Sequence, residues 1–556
     1  MNKKVCSFPI LFALLALLIG TCAVVFPASA QAAPTSTGSI TVSGTVASSY
    51  DAYQIFSANV VDGDSDAKIA TDLAWASNAV RDAALPVLHS AGMSNSQTTA
   101  QEAAEWLNAD SHLTSALSAQ LARSLQSSGA ESVALNAGTA AELSCGYWLI
   151  VADDDAIAQG EAGTAPIMAL VGGGAVTVKP KAATPKVAKH VLEDSTAAWQ
   201  KAADATVADD LYWRLSATVP AGLTAYDTYT VRFVDTMSAG LDPSKVAASM
   251  RVYVATGADG AFDAVQTGKD GRAGTEPAKG WTDITAQCAT KVAADGKTVT
   301  VRTGDLIAEL GGADAFTAGA RVVAVYNAPL NSACNHGIAK GNPNEVYLRY
   351  PRSPFADQSG DAGFTRTPSD DACAYTWDLA LTKRGSDGDK PLAGAVLSIA
   401  DDRGRTLAAD GTWDAEGKAT VTTGEDGRVT VSGVDSGKLE VREIKAPKGY
   451  TAFEGTRSVT VKAEGLDVDQ VAAAKPKLTI AAESPLRADS ADGSTGSLEA
   501  SLINTPTGTP PSITTGGFMP STGDMAMYAA AAAAVAGAAL IVVALLVKRG
   551  GGSHKE

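Results

Sequence analysis

Short strand-like segments, punctuated by Gly, Asp and Pro, constrain this chain more than any other feature. Across residues 185–373 the segments 211–219, 228–234, 250–254, 298–302 and 321–326 carry β-branched and aromatic residues between such clusters. A single segment of this length cannot bury a face by itself, and a series at even spacing argues for a β-sandwich. The same punctuation returns around 377–383, 395–399, 419–422, 429–431, 439–444, 458–461, 478–481 and 500–503, with Asp410-Gly411 and Asp426-Gly427 as hairpin signals. The 53 glycines supply the turns that so many short strands need. Residues 306–310 fit one helical turn.

The N-terminal third differs. Ile40, Val42 and Val46 alternate with polar residues and are followed by Tyr50 and Tyr53, which is strand patterning. From 68 to 127 the spacing turns helical: Leu73, Trp75 and Val80; then Ala103, Trp106 and Leu107; then Leu113, Leu117, Leu121 and Leu125. Asp110 is placed to cap the last of these and Gly129 to end it. Strand patterning resumes at 147–151 and 167–171. The expected fold is all-β: tandem β-sandwich domains at 31–181, 182–373 and 374–506, the first with a helical insertion. A Pro-, Thr- and Gly-rich linker follows at 507–518.

Both ends read as addresses. Lys3 and Lys4, an apolar core and Ala28-Ser29-Ala30 make residues 1–30 a secretory signal peptide. At the other end, Met519-Pro520-Ser521-Thr522-Gly523 precedes an uncharged apolar run at 525–547, long enough for a bilayer core of roughly 30 Å, and a tail at 548–556 that begins Lys548-Arg549. The basic pair is expected on the cytoplasmic side of this transmembrane span. Net charge is −16, which removes the electrostatic case for nucleic acid or anionic lipid as partners.

Little in the chain suggests turnover chemistry. The five His residues form no metal-ligand spacing, no Gly-x-Ser-x-Gly elbow occurs, and neither metal nor cofactor is expected. Asp62-Gly63-Asp64-Ser65-Asp66 starts like a calcium loop, but Ala67 stands where Gly is needed, so it reads as a solvated turn. Asp153-Asp154-Asp155 reads the same way. Cys145, Cys288, Cys334 and Cys373 remain after signal cleavage, and disulfides and buried thiols both fit their wide spacing.

Residues 519–556 resemble the cell-wall sorting signal of Gram-positive surface proteins, with Met519 in place of the usual Leu. The resemblance implies cleavage between Thr522 and Gly523 by a sortase. Glu443-Ile444-Lys445-Ala446-Pro447-Lys448-Gly449-Tyr450 resembles the E-box of collagen-adhesin B-type (CnaB) domains. In that family a Lys on the first strand, here Lys383, bonds to an Asn on the last, here Asn504. Burial favours a neutral, nucleophilic Lys383 and a protonated Glu443. The resemblance makes Glu443 the catalytic acid, hydrogen-bonded to the Asn504 carbonyl, of a single-turnover isopeptide bond.

Residues 182–373 resemble the middle domain of pilus shaft proteins, an Ig-like sandwich of the collagen-adhesin A type. Lys186-Val187-Ala188-Lys189, the segment ending in Asp235, and Gly341-Asn342-Pro343-Asn344-Glu345-Val346 carry the likeness. It implies Lys189 as amine and Asp235 as acid. The family's Tyr-Ser-Asn-Asn-Pro is Tyr350-Pro351-Arg352-Ser353-Pro354 here and offers no Asn. Asn344, elsewhere on the strand, is one substitute acceptor, and a disulfide among Cys288, Cys334 and Cys373 is another way to brace the domain. Val176-Thr177-Val178-Lys179-Pro180-Lys181 resembles the pilin motif, which implies Lys181, or else Lys179, as the amine that accepts Thr522 of another copy.

Taken together, the chain resembles the shaft subunit of a sortase-assembled Gram-positive pilus. That implies a secreted, wall-anchored surface fibre rather than an enzyme. The implied partners are a pilin sortase, a housekeeping sortase, further copies, peptidoglycan, and tip or minor pilins. A minor pilin or a single wall-anchored adhesin would share the sorting signal without needing Lys181. An anchored surface enzyme would need a catalytic cluster that the sequence does not present.

Overall fold

A computed structural model describes residues 37–508 apart from 64–66, 110–111, 181–183, 222, 259, 261–262 and 269–271. The expected signal peptide, the sorting motif, the apolar span, the basic tail, Lys181 and Asp110 lie outside the described residues. What is described is a succession of β-sandwiches, with helices concentrated near the N-terminus.

In the first unit, strands Ser49–Asp62, Lys68–Trp75, Gly146–Ala152, Ile167–Val171 and Val133–Asn136 form one sheet. Thr37–Val42, Ala140–Ser144 and Val176–Val178 form a smaller one. Gly146–Ala152 shows why three layers result. Trp148 and Ile150 pack towards the small sheet with Ile40, while Leu149 and Val151 pack towards the helices with Leu88 and Leu121. A strand apolar on both faces has to be covered on both. The cover is the insertion: α1 (Asn78–Ser90), α2 (Ala100–Asn108) and α3 (Ser115–Ser128).

Two local expectations change. Residues 68–75 are a strand, antiparallel to Ser49–Asp62, and α1 starts only at Asn78 behind a Ser77 cap. Leu73 and Trp75 stand two apart, which is strand spacing, and Trp75 lies against Phe56 with ring centroids 4.9 Å apart. The cap of α3 is Thr114, whose side chain accepts from the Leu117 amide. Gly129 closes the helix at φ 71°, as expected.

The middle unit packs two sheets around Trp213, Phe233, Val301 and Leu348. One is built on Val187–Glu193, Tyr212–Thr218, Arg321–Asn327 and Arg251–Ala255. The other is built on Asp370–Tyr375, Asn342–Pro351, Arg232–Met237 and Thr298–Arg302. Leu306–Glu309 is the expected helical turn. In the third unit Trp377–Gly385 lies between Arg428–Val434 and Ser497–Pro506, and pairs with Ser497–Pro506 in parallel. The facing sheet is built on Val396–Ala400, Gly437–Lys445, Thr456–Glu464 and Lys477–Ala482.

The units are joined by packing and polar contacts as well as by chain. Strand Asp370–Tyr375 belongs to a middle sheet, yet Cys373 and Tyr375 sit in the core of the third unit, so a boundary at 373 cuts a shared strand. Asp204 accepts hydrogen bonds from Trp377 Nε1 (2.6 Å) and the Ser436 amide (2.9 Å) across that joint. Asp209 pairs there with Arg403 and Arg405. Between the first two units, Tyr350 donates to the Gly160 carbonyl at 2.8 Å, and the Gly163 amide to Arg352 at 2.7 Å.

Candidate functional site

The site in the third unit follows from strand alternation. Trp377, Leu379 and Leu381 face the core from one strand, and Lys383 takes the next inward place. Leu498, Ala500 and Leu502 do so from the last strand, and Asn504 comes next. Leu439 and Val441 precede Glu443 in the same way. Three apolar stripes thus end in polar side chains at one end of the sandwich. The parallel register, Lys383 beside Leu502 and Gly385 beside Asn504, brings the first and last strands together there.

All three side chains are buried. Lys383 Nζ donates to Asn504 Oδ1. It also lies 3.4 Å from Glu443 Oε1. Asn504 Nδ2 donates to both Glu443 oxygens, at 2.9 and 3.1 Å, and Glu443 Oε2 also takes the Phe453 amide at 3.1 Å. This departs from the expected arrangement: the acid faces the nitrogen of the carboxamide rather than its carbonyl. Burial pulls the Lys383 amine down to about 8, against the opposing effect of Glu443. An amine so depressed keeps a substantial neutral fraction near neutral pH, the form able to attack a carbonyl carbon.

The middle unit repeats the theme with a fourth member. Lys189 and Asp235 are fully buried and joined as an ion pair. Tyr326 Oη lies 3.1 Å from Lys189 Nζ and donates to Asp235 Oδ2 at 2.9 Å. Asn344 Nδ2 donates to the same hydroxyl at 2.8 Å. Burial lowers the Lys189 pKa and raises that of Asp235, so desolvation pushes both towards neutrality. Asp235 Oδ1 and Asn344 Oδ1 are buried without a hydrogen-bond partner among the described residues.

Asn344 therefore belongs to the cluster. It is in register with Met237, two residues beyond Asp235. Tyr350 lies beyond the Arg349–Arg232 pair, towards the other end of the strand, with its hydroxyl on Gly160. Tyr326 was not singled out by the sequence; the available signal was its place at the end of the expected strand 321–326.

Lys179 is exposed just after strand Val176–Val178. Cys288, Cys334 and Cys373 are free thiols, so no disulfide among them braces the middle unit. Asp62, the last residue of strand Ser49–Asp62, binds the Gly174 amide and Lys68, and residues 64–66 of the expected turn lie outside the described residues. Among the described residues no cluster of His, Cys, Asp and Glu is arranged to hold a metal ion.

The chain is similar to several known proteins. The trypsin-resistant surface T6 protein of Streptococcus pyogenes serotype M6 is 29% identical over 143 residues, and the alignment spans 24% of each chain. Among solved structures, the T6 backbone pilin of that serotype covers 85% of this chain and 98% of its own, at 16% identity and a TM-score of 0.46. The full-length major pilin SpaD of Corynebacterium diphtheriae covers 84% and 98%, at 14% identity and a TM-score of 0.41. A family described as SpaA, prealbumin-like fold domain, matches residues 378–475, which include Lys383 and Glu443 and stop short of Asn504. Residues 378–475 of the third unit are thus similar to the SpaA prealbumin-like fold domain.

Proposed function

We propose that the chain is the structural subunit of a covalently polymerised, wall-anchored surface fibre. The observation that carries this reading is the buried trio Lys383, Glu443 and Asn504, which links the first and last strands of the third unit. In the reaction, the neutral Lys383 amine attacks Asn504 Cγ, an amide forms, and the carboxamide nitrogen leaves as ammonia. Glu443 touches both nitrogens, so it can take the proton that the attacking amine loses and deliver it to the departing group. Lys189, Asp235 and Asn344 would perform the same step in the middle unit, with Tyr326 positioning the amide.

Subunits join through the chain ends. A pilin sortase cuts between Thr522 and Gly523 of Met519-Pro520-Ser521-Thr522-Gly523 and holds Thr522 as a thioester. Lys181 of the next copy, or Lys179 as runner-up, displaces the enzyme and forms the intersubunit amide. A housekeeping sortase makes the final transfer to peptidoglycan. The protein is thus a substrate and a building block. The similarity to the T6 surface protein and to backbone pilins supports this reading.

The test is a cell-wall extract on a denaturing gel. A ladder of high-mass species is expected from the wild type and is expected to vanish for Lys181→Ala. A single monomer band from both would overturn the fibre reading in favour of a singly anchored adhesin. A ladder that survives Lys181→Ala but not Lys179→Ala would move the joint to Lys179.

A further inference from the structure

The outer face of the middle unit carries a row of arginines that the fibre reading does not use. Arg232 is in register with Arg302 on one neighbouring strand and with Arg349 on the other, and Arg349 with Arg366 on the next. Four adjacent strands therefore set four guanidinium groups side by side, in a chain whose net charge is −16. Like charges directly opposite on neighbouring strands destabilise a sheet. Burial, and next the charge of Arg302, lower the Arg232 pKa from its ordinary value.

One carboxylate relieves the middle of the row: Asp361 lies 2.6 Å from Arg232 and 3.0 Å from Arg349. The outer members, Arg302 and Arg366, are exposed and form no ion pair among the described residues. Aromatic rings orient two of the four. The Arg232 guanidinium is 4.0 Å from the Phe364 ring centroid and that of Arg366 is 5.2 Å from Tyr347.

The row runs between two open depressions. One, of about 460 Å³, is lined by Tyr347, Arg349, Arg352, Phe364 and Arg366. The other, of about 540 Å³, is lined by Arg302 with Thr228, Gln287 and Ser359, and also by the carboxylates Asp305 and Asp357. Strands lie about 4.8 Å apart, so the row spans roughly 14 Å, more than one sulfate or carboxylate can occupy.

We propose that this face binds an anionic polysaccharide, a run of sulfated or uronic-acid sugars laid across the strands. Guanidinium forks bind sulfate and carboxylate oxygens in pairs, and arginine suits such recognition better than lysine. The depression beside the half-buried Tyr347 offers one sugar ring an aromatic neighbour with charge at its rim. A protein partner would call for an apolar centre, and the large exposed apolar side chains among the described residues, Ile69, Leu113, Val133 and Ile444, all lie on other segments. The inference needs neither Lys181 nor Thr522, so it stands or falls apart from the fibre.

The test measures binding of the full-length chain to immobilised heparin and, separately, to immobilised hyaluronan at physiological ionic strength. Binding to at least one is expected, released by added salt. Heparin alone identifies sulfate as the group read, and binding to both identifies the carboxylate as sufficient. The Arg302→Glu/Arg366→Glu variant should bind at least about tenfold more weakly with an unchanged or higher thermal midpoint, because both side chains are exposed and like-charge contacts are relieved. If that variant fails to fold, Arg302→Gln alone should still weaken binding severalfold. No binding of the wild type to either polymer, or undiminished binding of the variants, overturns the proposal. So does a salt-sensitive self-association in sedimentation that the variant loses, since the row would then dock a second copy.

Discussion

Lys383, Glu443 and Asn504 each stand where the alternation of their own strand calls for another apolar side chain. An amine and an acid in such places are expensive to desolvate unless they serve each other. The proposed bond predicts that the peptide pair carrying Lys383 and Asn504 is lighter than its sequence mass by one ammonia. Glu443→Ala should restore the full mass and lower the thermal midpoint of the third unit. A full mass in the wild type would remove the bond and with it the main support for the fibre. Much of this site was legible. Leu379, Leu381 and Lys383 show their alternation in the bare sequence, and the Ala446-Pro447-Lys448-Gly449-Tyr450 motif fixes which glutamate is meant. The orientation of the Asn504 amide was not, because it depends on two partners remote in sequence. Tyr326 and the placement of Asn344 escaped for a related reason: a shift of one residue in register reverses which side chains face the core.

Elements of the first unit show where local pattern misleads. Leu73, Trp75 and Val80 look like one helical face, yet Leu73 and Trp75 belong to a strand and Val80 to a helix capped by Ser77. Apolar spacing over eight residues serves either structure, and pairing with Ser49–Asp62 decides the matter. Where that same strand meets Gly146–Ala152, the backbones approach more closely than a side chain permits. Gly146 has φ +139°, and a Cβ there would lie 2.0 Å from the Phe56 carbonyl oxygen. Gly146→Ala is therefore expected to destabilise the first unit by about 2 kcal/mol or more. Its unfolding transition, followed by calorimetry, should fall while that of the third unit stays in place. An unshifted first transition would mean that the strands can part at this point without penalty.

At the scale of the whole molecule, the joint between the second and third units concentrates acid. Asp435 is half-buried with Asp204, Asp194 and Glu193 around it, and its carboxyl is held well above the usual range by desolvation first and by those charges next. Glu193 is pushed up to about 8, again by burial and then by Asp204. A carboxyl that keeps its proton in the folded state and loses it in the unfolded one stabilises the fold at low pH. That contribution fades as pH rises from about 4.5 towards 8. Hydrogen exchange around Trp377 and Ser436 should accordingly quicken across that window beyond the intrinsic pH effect. Asp435→Asn, which mimics the protonated form, should flatten the trend, and an unchanged trend in that variant would locate the sensitivity elsewhere. The sequence displayed these acids without hinting that they converge, since they come from two units. The parallel pairing of Trp377–Gly385 with Ser497–Pro506 has a mechanical meaning of its own. In a parallel pair the chain enters at one end of the sandwich and leaves at the other. A pull between those ends runs along both strands and loads their hydrogen bonds in shear, all together, rather than peeling them one by one. With Lys383 joined to Asn504, the shortest covalent route through the unit bypasses everything from 384 to 503. Those residues would then carry no load, and the unit would behave as a rigid link that cannot lengthen by unravelling.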